Sequence, residues 1–357
     1  MVSPFSDLPN DLIIKILSLL PVESILKFKT VSKSWNQLLS SPFFATIHSL
    51  SSSPLSQPFP LFFSTIRDDS RIYYIRNTST LSLQWLNFRG AGHLNCIACD
   101  NGIICFHCSF CSTELLFVGN PVTSKYRCLP GLGGLGEEFL VGNIGISFDP
   151  ITQNFKILVR GRPKSEKAGA MPFEWRLFSS VNESWKTIQD PGYNLENVNS
   201  MVCVGNTCYV LSWTKLSLLA FDLERETVEE LPNPVLISPK SSDRELSYRF
   251  SVPQKWGERV AMGEITGDLK LKMWVLCRER EWVEVIVGNL QNFGLGIDDS
   301  LSPLLLVGET FFLHNANKNM MYAYNIKSGR LIMLQDNVSG QVDNLVLYQP
   351  TLFSCFL

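Results

Sequence analysis

Helical periodicity in this chain ends after about fifty residues, and everything beyond is written in short apolar runs broken by turns. Ile13, Leu17 and Leu20 recur at i, i+4 and i+7, with Leu12, Ile16 and Leu19 on the adjoining stripe. Pro9 suits the first turn of a helix and Asp11 its positive end. Pro21 closes that helix and opens a second through Val22, Ile25, Leu26 and Phe28. Ser32 caps a third, which carries Trp35, Leu38 and Leu39 as far as Pro42. The pattern predicts a small three-helix unit followed by a large all-β body.

The helical unit has more apolar surface than its own core can use. Below about 40 to 50 residues a lone core seldom offsets chain entropy, so a partner surface is the natural remedy. A helical hairpin packed on its own domain is the competing reading. We place this unit at residues 1–48, a Ser/Pro-rich linker at 49–59 and the β body at 60–357.

The body carries a loose repeat of strand, tight turn and strand, ending on an apolar residue and often a proline. Residues 115–118 lead through Gly119-Asn120-Pro121-Val122-Thr123 to Leu129-Pro130, and residues 218–221 lead through Asp222 to Leu231-Pro232. Residues 321–324 lead through Asn325 to Leu334, while Trp185 and Trp282 follow the turn in two variants. Asn and Asp at such points bond their own backbone. A period near 50 residues predicts a β-propeller of six blades, at 60–88, 94–130, 142–190, 199–232, 246–288 and 303–336. Strands at 344–348 and 352–356 would close the ring on residues 61–66, removing a free sheet edge. Five or seven blades, or an open pair of β-sandwiches, remain as alternatives.

A net charge of −2 with scattered Lys and Arg gives no footprint for nucleic acid or for a membrane surface. The start lacks the basic region of a signal peptide, and the run from Ile13 to Leu20 is short and interrupted by Lys15. The expectation is a soluble intracellular protein, in cytoplasm or nucleus, whose ten cysteines are mostly reduced thiols.

Two CxxC pairs, Cys96–Cys99 and Cys108–Cys111, lie close together with Cys105, His93 and His107. Four such donors could hold zinc. Residues three apart in a strand face opposite ways, however, and Asp100-Asn101-Gly102 reads as a hairpin turn, so thiols packed in strands are the reading taken. The four histidines form no HExxH motif and no GxSxG elbow occurs. Gly131-Leu132-Gly133-Gly134-Leu135-Gly136 is followed by Glu137-Glu138, which would repel phosphate. No catalytic residue, metal ligand or cofactor is assigned. A propeller enzyme with an incidental helical front is the alternative from another class.

Leu8-Pro9-Asn10-Asp11-Leu12, Ile16-Leu17, Leu20-Pro21-Val22, Ser24-Ile25-Leu26, Phe28 and Val31-Ser32-Lys33-Ser34-Trp35 closely resemble the F-box, with Ile25 where Leu is commoner. The resemblance implies docking on an Skp-family adaptor, and through it on cullin and a RING subunit. By it, Leu8, Pro9, Leu12, Ile16, Leu17, Leu20, Pro21, Ile25, Leu26, Val31, Ser32, Lys33 and Trp35 would face the adaptor. Trp35 serves equally well as an anchor of the unit's own core. The body resembles the kelch-type or F-box-associated propeller of plant F-box proteins, through Cys99-Asp100-Asn101-Gly102-Ile103-Ile104-Cys105, Gly119–Thr123, Phe148-Asp149-Pro150-Ile151-Thr152 and Ala220–Leu223. It lacks the double glycine of true kelch blades. Together these imply a non-catalytic substrate receptor of an SCF-type ubiquitin ligase, its target protein held on the propeller. A scaffold that binds the adaptor without directing ubiquitination stays open beside it.

Overall fold

The computed structural model describes residues 8–51, 58–66, 69–75, 83–86, 93–110, 113–132, 139–164, 173–188, 201–212, 217–232, 234, 250–278, 280–295, 301–318, 320–334 and 342–355. For strand residues within 59–97, 108–114, 286–287 and 342–345 it describes the backbone alone.

Four helices come first: α1 (Asn10–Ser18), α2 (Val22–Phe28), α3 (Lys33–Leu39) and α4 (Pro42–Leu50). The fourth corrects the expected count of three, and it runs to Leu50, just past the expected boundary at residue 48. Pro42 does not end α3; it occupies the first turn of α4, where its missing N–H costs nothing, behind the Ser41 cap that accepts from Phe44 N at 3.1 Å. Ser32 caps α3 as expected, accepting from Trp35 N at 3.1 Å. Most of the expected Ser/Pro-rich linker, residues 52–57, lies outside the described residues. Among the described residues no helix is long and apolar enough to cross a membrane.

The described strands then form six four-stranded antiparallel sheets. The first blade holds β1 (Phe59–Ile66), β2 (Asp69–Ile75) and β3 (Leu83–Leu86). The second holds β4 (His93–Asp100), β5 (Ile103–Phe110), β6 (Thr113–Asn120) and β7 (Lys125–Cys128). The third runs from β8 (Phe139–Phe148) through β9 (Phe155–Pro163) and β10 (Glu174–Ser179) to β11 (Ser184–Ile188). The fourth is β12 (Met201–Val204), β13 (Thr207–Ser212), β14 (Ser217–Asp222) and β15 (Thr227–Leu231). The fifth is β16 (Gln254–Trp256), β17 (Arg259–Ile265), β18 (Lys270–Leu276) and β19 (Trp282–Asn289). The sixth is β20 (Leu301–Val307), β21 (Thr310–Asn315), β22 (Met320–Asn325) and β23 (Arg330–Leu334). A last strand, β24 (Val342–Tyr348), returns to pair with β1, from Phe59↔Tyr348 to Ser64↔Val342, and so becomes the inner strand of the first blade. Each inner strand neighbours the inner strand of the next blade, which makes the sheets a closed propeller.

Turn chemistry follows the sequence. The carboxyl or amide oxygens of Asn120, Asp149, Asp222 and Asn325 accept backbone N–H groups two or three residues on, at 2.8 to 2.9 Å. The two tryptophans that follow turns stitch neighbouring blades. Trp185 Nε1 donates to the Pro130 carbonyl at 2.8 Å, and Trp282 Nε1 donates to that of Pro232 at 2.6 Å. Each joins the outer strand of one blade to the proline that closes the blade before it. Each indole, buried at Trp282 and half-buried at Trp185, thereby keeps its polar tip satisfied while its ring packs along the inter-blade seam.

Residues 352–355 do not form the second closing strand expected of them. Pro350 lacks the N–H a ladder needs, and the tail instead crosses the ring surface. Asn120 Nδ2 donates to the carbonyls of Thr351 and Phe353 at 2.9 and 2.8 Å, and Tyr348 Oη donates to Asn120 Oδ1 at 3.2 Å. Phe353 is fully buried with its ring 4.9 Å from that of Phe148. Gly102, at φ +76°, makes this path possible: a Cβ there would lie 2.3 Å from Thr351 Oγ1 and 2.6 Å from the Gln349 carbonyl.

Candidate partner-binding surface

The hairpin turns after β4, β8, β12, β16 and β20 lie at one end of the ring, and the helices sit there. The contact is specific. Gln153, in the turn after β8, donates Nε2 to the Pro42 carbonyl at 2.9 Å and to Thr46 Oγ1 at 3.2 Å. Thr46 in turn donates to the Pro150 carbonyl at 3.1 Å. Around these bonds runs one apolar cluster that joins Leu17, Val22, Ile25, Leu39, Phe44 and Ala45 of the helices to Val118, Phe148, Phe155 and Phe178 of blades two and three. Leu352, Phe353 and Cys355 of the tail belong to it as well. The helical unit therefore has no separate core: the propeller completes it.

That packing decides which predicted docking residues face outward. Leu8, Leu12 and Ile16 line one side of α1, the latter two 47% and 53% exposed, and Leu19 extends the stripe. Pro9 and Lys33 are exposed, Ser32 likewise, and Val31 is 62% exposed. Leu17 and Ile25, by contrast, are buried within the apolar cluster shared with the ring and do not lie on the outward face. Leu20, Pro21 and Leu26 are half-buried. Trp35 is half-buried too, edge-on against Phe28 at 5.7 Å and 80°, so it anchors the unit's own core. Phe43 of α4, 61% exposed, was not foreseen.

His48 fastens α4 to the end of α1, its Nε2 donating to the Leu20 carbonyl at 2.9 Å. Burial holds this imidazole below its ordinary pKa, against the pull of the carbonyl. Lys29, at the end of α2, is likewise pulled down by burial and then by Lys125 of the second blade.

A second feature sits at the same end of the ring, a channel cavity of about 270 Å³ whose wall includes Cys99, Asp100, Met201, Cys203, Lys255 and Glu258. Lys255 of the fifth blade reaches Asp100 of the second at 2.7 Å, and Asp100 also accepts from Phe148 N at 2.9 Å. Burial pushes the Asp100 carboxyl above the usual carboxylate range, against the pull of Lys255. The pair bars the channel between opposite blades.

The cysteine-rich stretch gives no shared metal site among the described residues. Cys105 is the register partner of Ala98 and Cys99 that of Ile104, so the two thiols point to opposite faces of the blade. The side chains of Cys96, Cys108 and His93, and all of Cys111, fall outside what is described. Elsewhere Cys203 and Cys208 are bonded to each other, an exception to the expected reduced thiols, while Cys99, Cys128, Cys277 and Cys355 carry no disulfide. Strands β9 and β10 are joined at the end of the ring opposite the helices, through residues that lie largely outside the described ones.

Comparison with known proteins agrees with this division. The F-box domain profile matches residues 5–46, and that of the F-box associated beta propeller domain matches residues 59–331. F-box protein At3g57590 of Arabidopsis thaliana is 24% identical over 78% of this chain and 71% of its own length. F-box protein At5g49610 from the same plant is 25% identical over 88% of each. Among solved structures, a chain of the nidogen/laminin complex is similar with a TM-score of 0.51 at 9% identity, covering 82% of this chain and 99% of that one. At that identity the likeness speaks for the propeller fold alone.

Proposed function

The chain belongs to the family of F-box proteins with an F-box associated β-propeller, and from that premise we propose that it is the substrate-receptor subunit of an SCF-type ubiquitin ligase. The observation that carries this reading is the exposed apolar stripe of Leu8, Leu12, Ile16 and Leu19, with Val31 beside it, on helices whose other faces are spent on the propeller. Such a stripe costs free energy in water at roughly 25 cal/mol per Å², and an Skp-family adaptor relieves it. Cullin and the RING subunit join through that adaptor, in the cytoplasm or nucleus.

The chain itself does no chemistry. It raises the effective concentration of a bound target near the conjugating enzyme. Because the helices are packed against the turn end of the ring, the opposite end is free to present that target. Rigid packing makes this presentation directional rather than tethered.

Deleting the helices would strip the ring of part of its core, so the test uses a surface change. Target proteins captured by proximity labelling are followed for half-life in cells expressing the natural chain or its Leu12→Asp, Ile16→Asp variant. Longer-lived targets with the variant are expected. Unchanged half-lives for every propeller-bound protein would refute the receptor reading.

A further inference from the structure

Cys203 and Cys208 already face each other across a hairpin before any bond is considered. They are register partners in β12 and β13, with Gly205 and Asn206 in the turn between them. The ladder from Met201↔Val210 to Val204↔Thr207 holds this hairpin, and β13 is paired along its length with β14. The strands therefore do not depend on the bond. As thiols, both residues would pack as small apolar side chains.

The surroundings of the two sulfurs differ. Cys208 is fully enclosed among Val210, Leu219 and Phe221 in the fourth blade. Cys203 belongs to the same cluster but also forms part of the channel cavity's wall. That cavity opens beside exposed Gly257, Glu258 and Gln349. On the side of the third blade there is no slack. A Cβ on Gly145 would lie 2.5 Å from Met201 Sδ and 2.9 Å from Cys203 Sγ, so the glycine is what admits these sulfurs at all. Two thiols need more room than one disulfide, and for Cys203 that room lies toward the cavity.

We propose that Cys203 and Cys208 are a reversible thiol–disulfide pair, exchanged with a small thiol couple of the glutathione kind, and that their state reshapes the channel cavity. The reducing thiolate enters by the cavity and attacks Cys203 Sγ; the S–S bond breaks, and Cys208 leaves as a thiolate that is protonated by water admitted through the cavity once the bond has opened. A second glutathione thiolate attacks the mixed disulfide, releasing Cys203 with oxidised glutathione as the product. Two electrons pass from two glutathione molecules to the pair, and oxidation is the reverse. Cys99 shares the cavity wall, half-buried, and desolvation raises its thiol far above the thiolate range, while Cys355 is pushed up to about 11 by burial. Neither competes as a nucleophile near neutral pH.

The test equilibrates the full chain in glutathione buffers from reduced to oxidised, quenches in acid, alkylates with N-ethylmaleimide and digests with trypsin. Residues 187–215 form one tryptic peptide that holds both cysteines and no other. The expected result is two populations, doubly alkylated or internally linked, that interconvert with the ratio of squared reduced to oxidised glutathione. Hydrogen exchange at β16 and at the end of β4 should differ between the two states. A doubly alkylated peptide at every ratio overturns the proposal, as does a stable mixed disulfide with glutathione or a link that excess reduced glutathione cannot open. Identical exchange at the cavity in both states overturns the coupling.

Discussion

Gln153 donates its side-chain amide to the carbonyl of Pro42 at 2.9 Å, tying the turn after β8 to the first residue of α4. The bond crosses the joint between the helical unit and the ring, and Gln153 itself is buried with φ +58°. Replacing it with Ala leaves the Pro42 carbonyl without that donor. We expect a loss of about 1–2 kcal/mol, with faster hydrogen exchange in α4 and unchanged exchange in the fifth blade. Uniform change across the ring would contradict a role confined to the joint.

Asn120 concentrates more bonds than any neighbour in the tail's path: it donates to Thr351 and Phe353 and accepts from Val122 N and Tyr348. Asn120→Ala should cost on the order of 2–3 kcal/mol, since several buried groups lose partners together. Phe353→Ala should cost about 3–4 kcal/mol through the cavity it leaves against Phe148. Urea unfolding measures both, and a loss below about 0.5 kcal/mol in either would contradict the tail's part in the core.

The Asp100–Lys255 pair predicts an asymmetry. Asp100→Ala strands a mostly buried ammonium and should cost about 3 kcal/mol. Asp100→Leu combined with Lys255→Met removes both charges and should recover most of that loss. A double variant as unstable as the single one would contradict the account of the channel bar.

His48 predicts a pH dependence. Its folded pKa is lowered, so the unfolded chain binds its proton more readily. Stability contributed by the neutral ring is complete above the ordinary histidine pKa of about 6.5. It is lost as pH falls below that value toward the lowered one. Unfolding free energies measured across this window should decline on acidification in the natural chain and decline less in His48→Gln. Equal slopes would assign the effect elsewhere.

The blades were legible because each is a local object. Asn120, Asp149, Asp222 and Asn325 mark turns by chemistry that acts within three residues, and the run lengths between them set the period. Ser32 revealed its helix by the same local logic. What stayed hidden was long-range. Ser41 and Pro42 mark a helix start locally, but nothing near them indicates that α4 will pack against Pro150, and nothing near Thr351 indicates that Asn120 will hold it. The burial of Leu17 and Ile25 was missed for the same reason: apolar periodicity identifies a face without telling what covers it. Trp185 and Trp282 were visible as a pattern, but their partners Pro130 and Pro232 sit a blade away.

Docking through the outward stripe of α1 is what makes this chain a receptor subunit in the proposed function. Its most direct test is the equilibrium affinity of a purified Skp-family adaptor for the full chain and for its Leu12→Ala, Ile16→Ala variant, with thermal unfolding measured alongside. Loss of two central apolar anchors should weaken binding by ~30-fold or more while the unfolding temperature holds, since neither side chain belongs to the core. Unchanged affinity, or no binding by the natural chain, would contradict it.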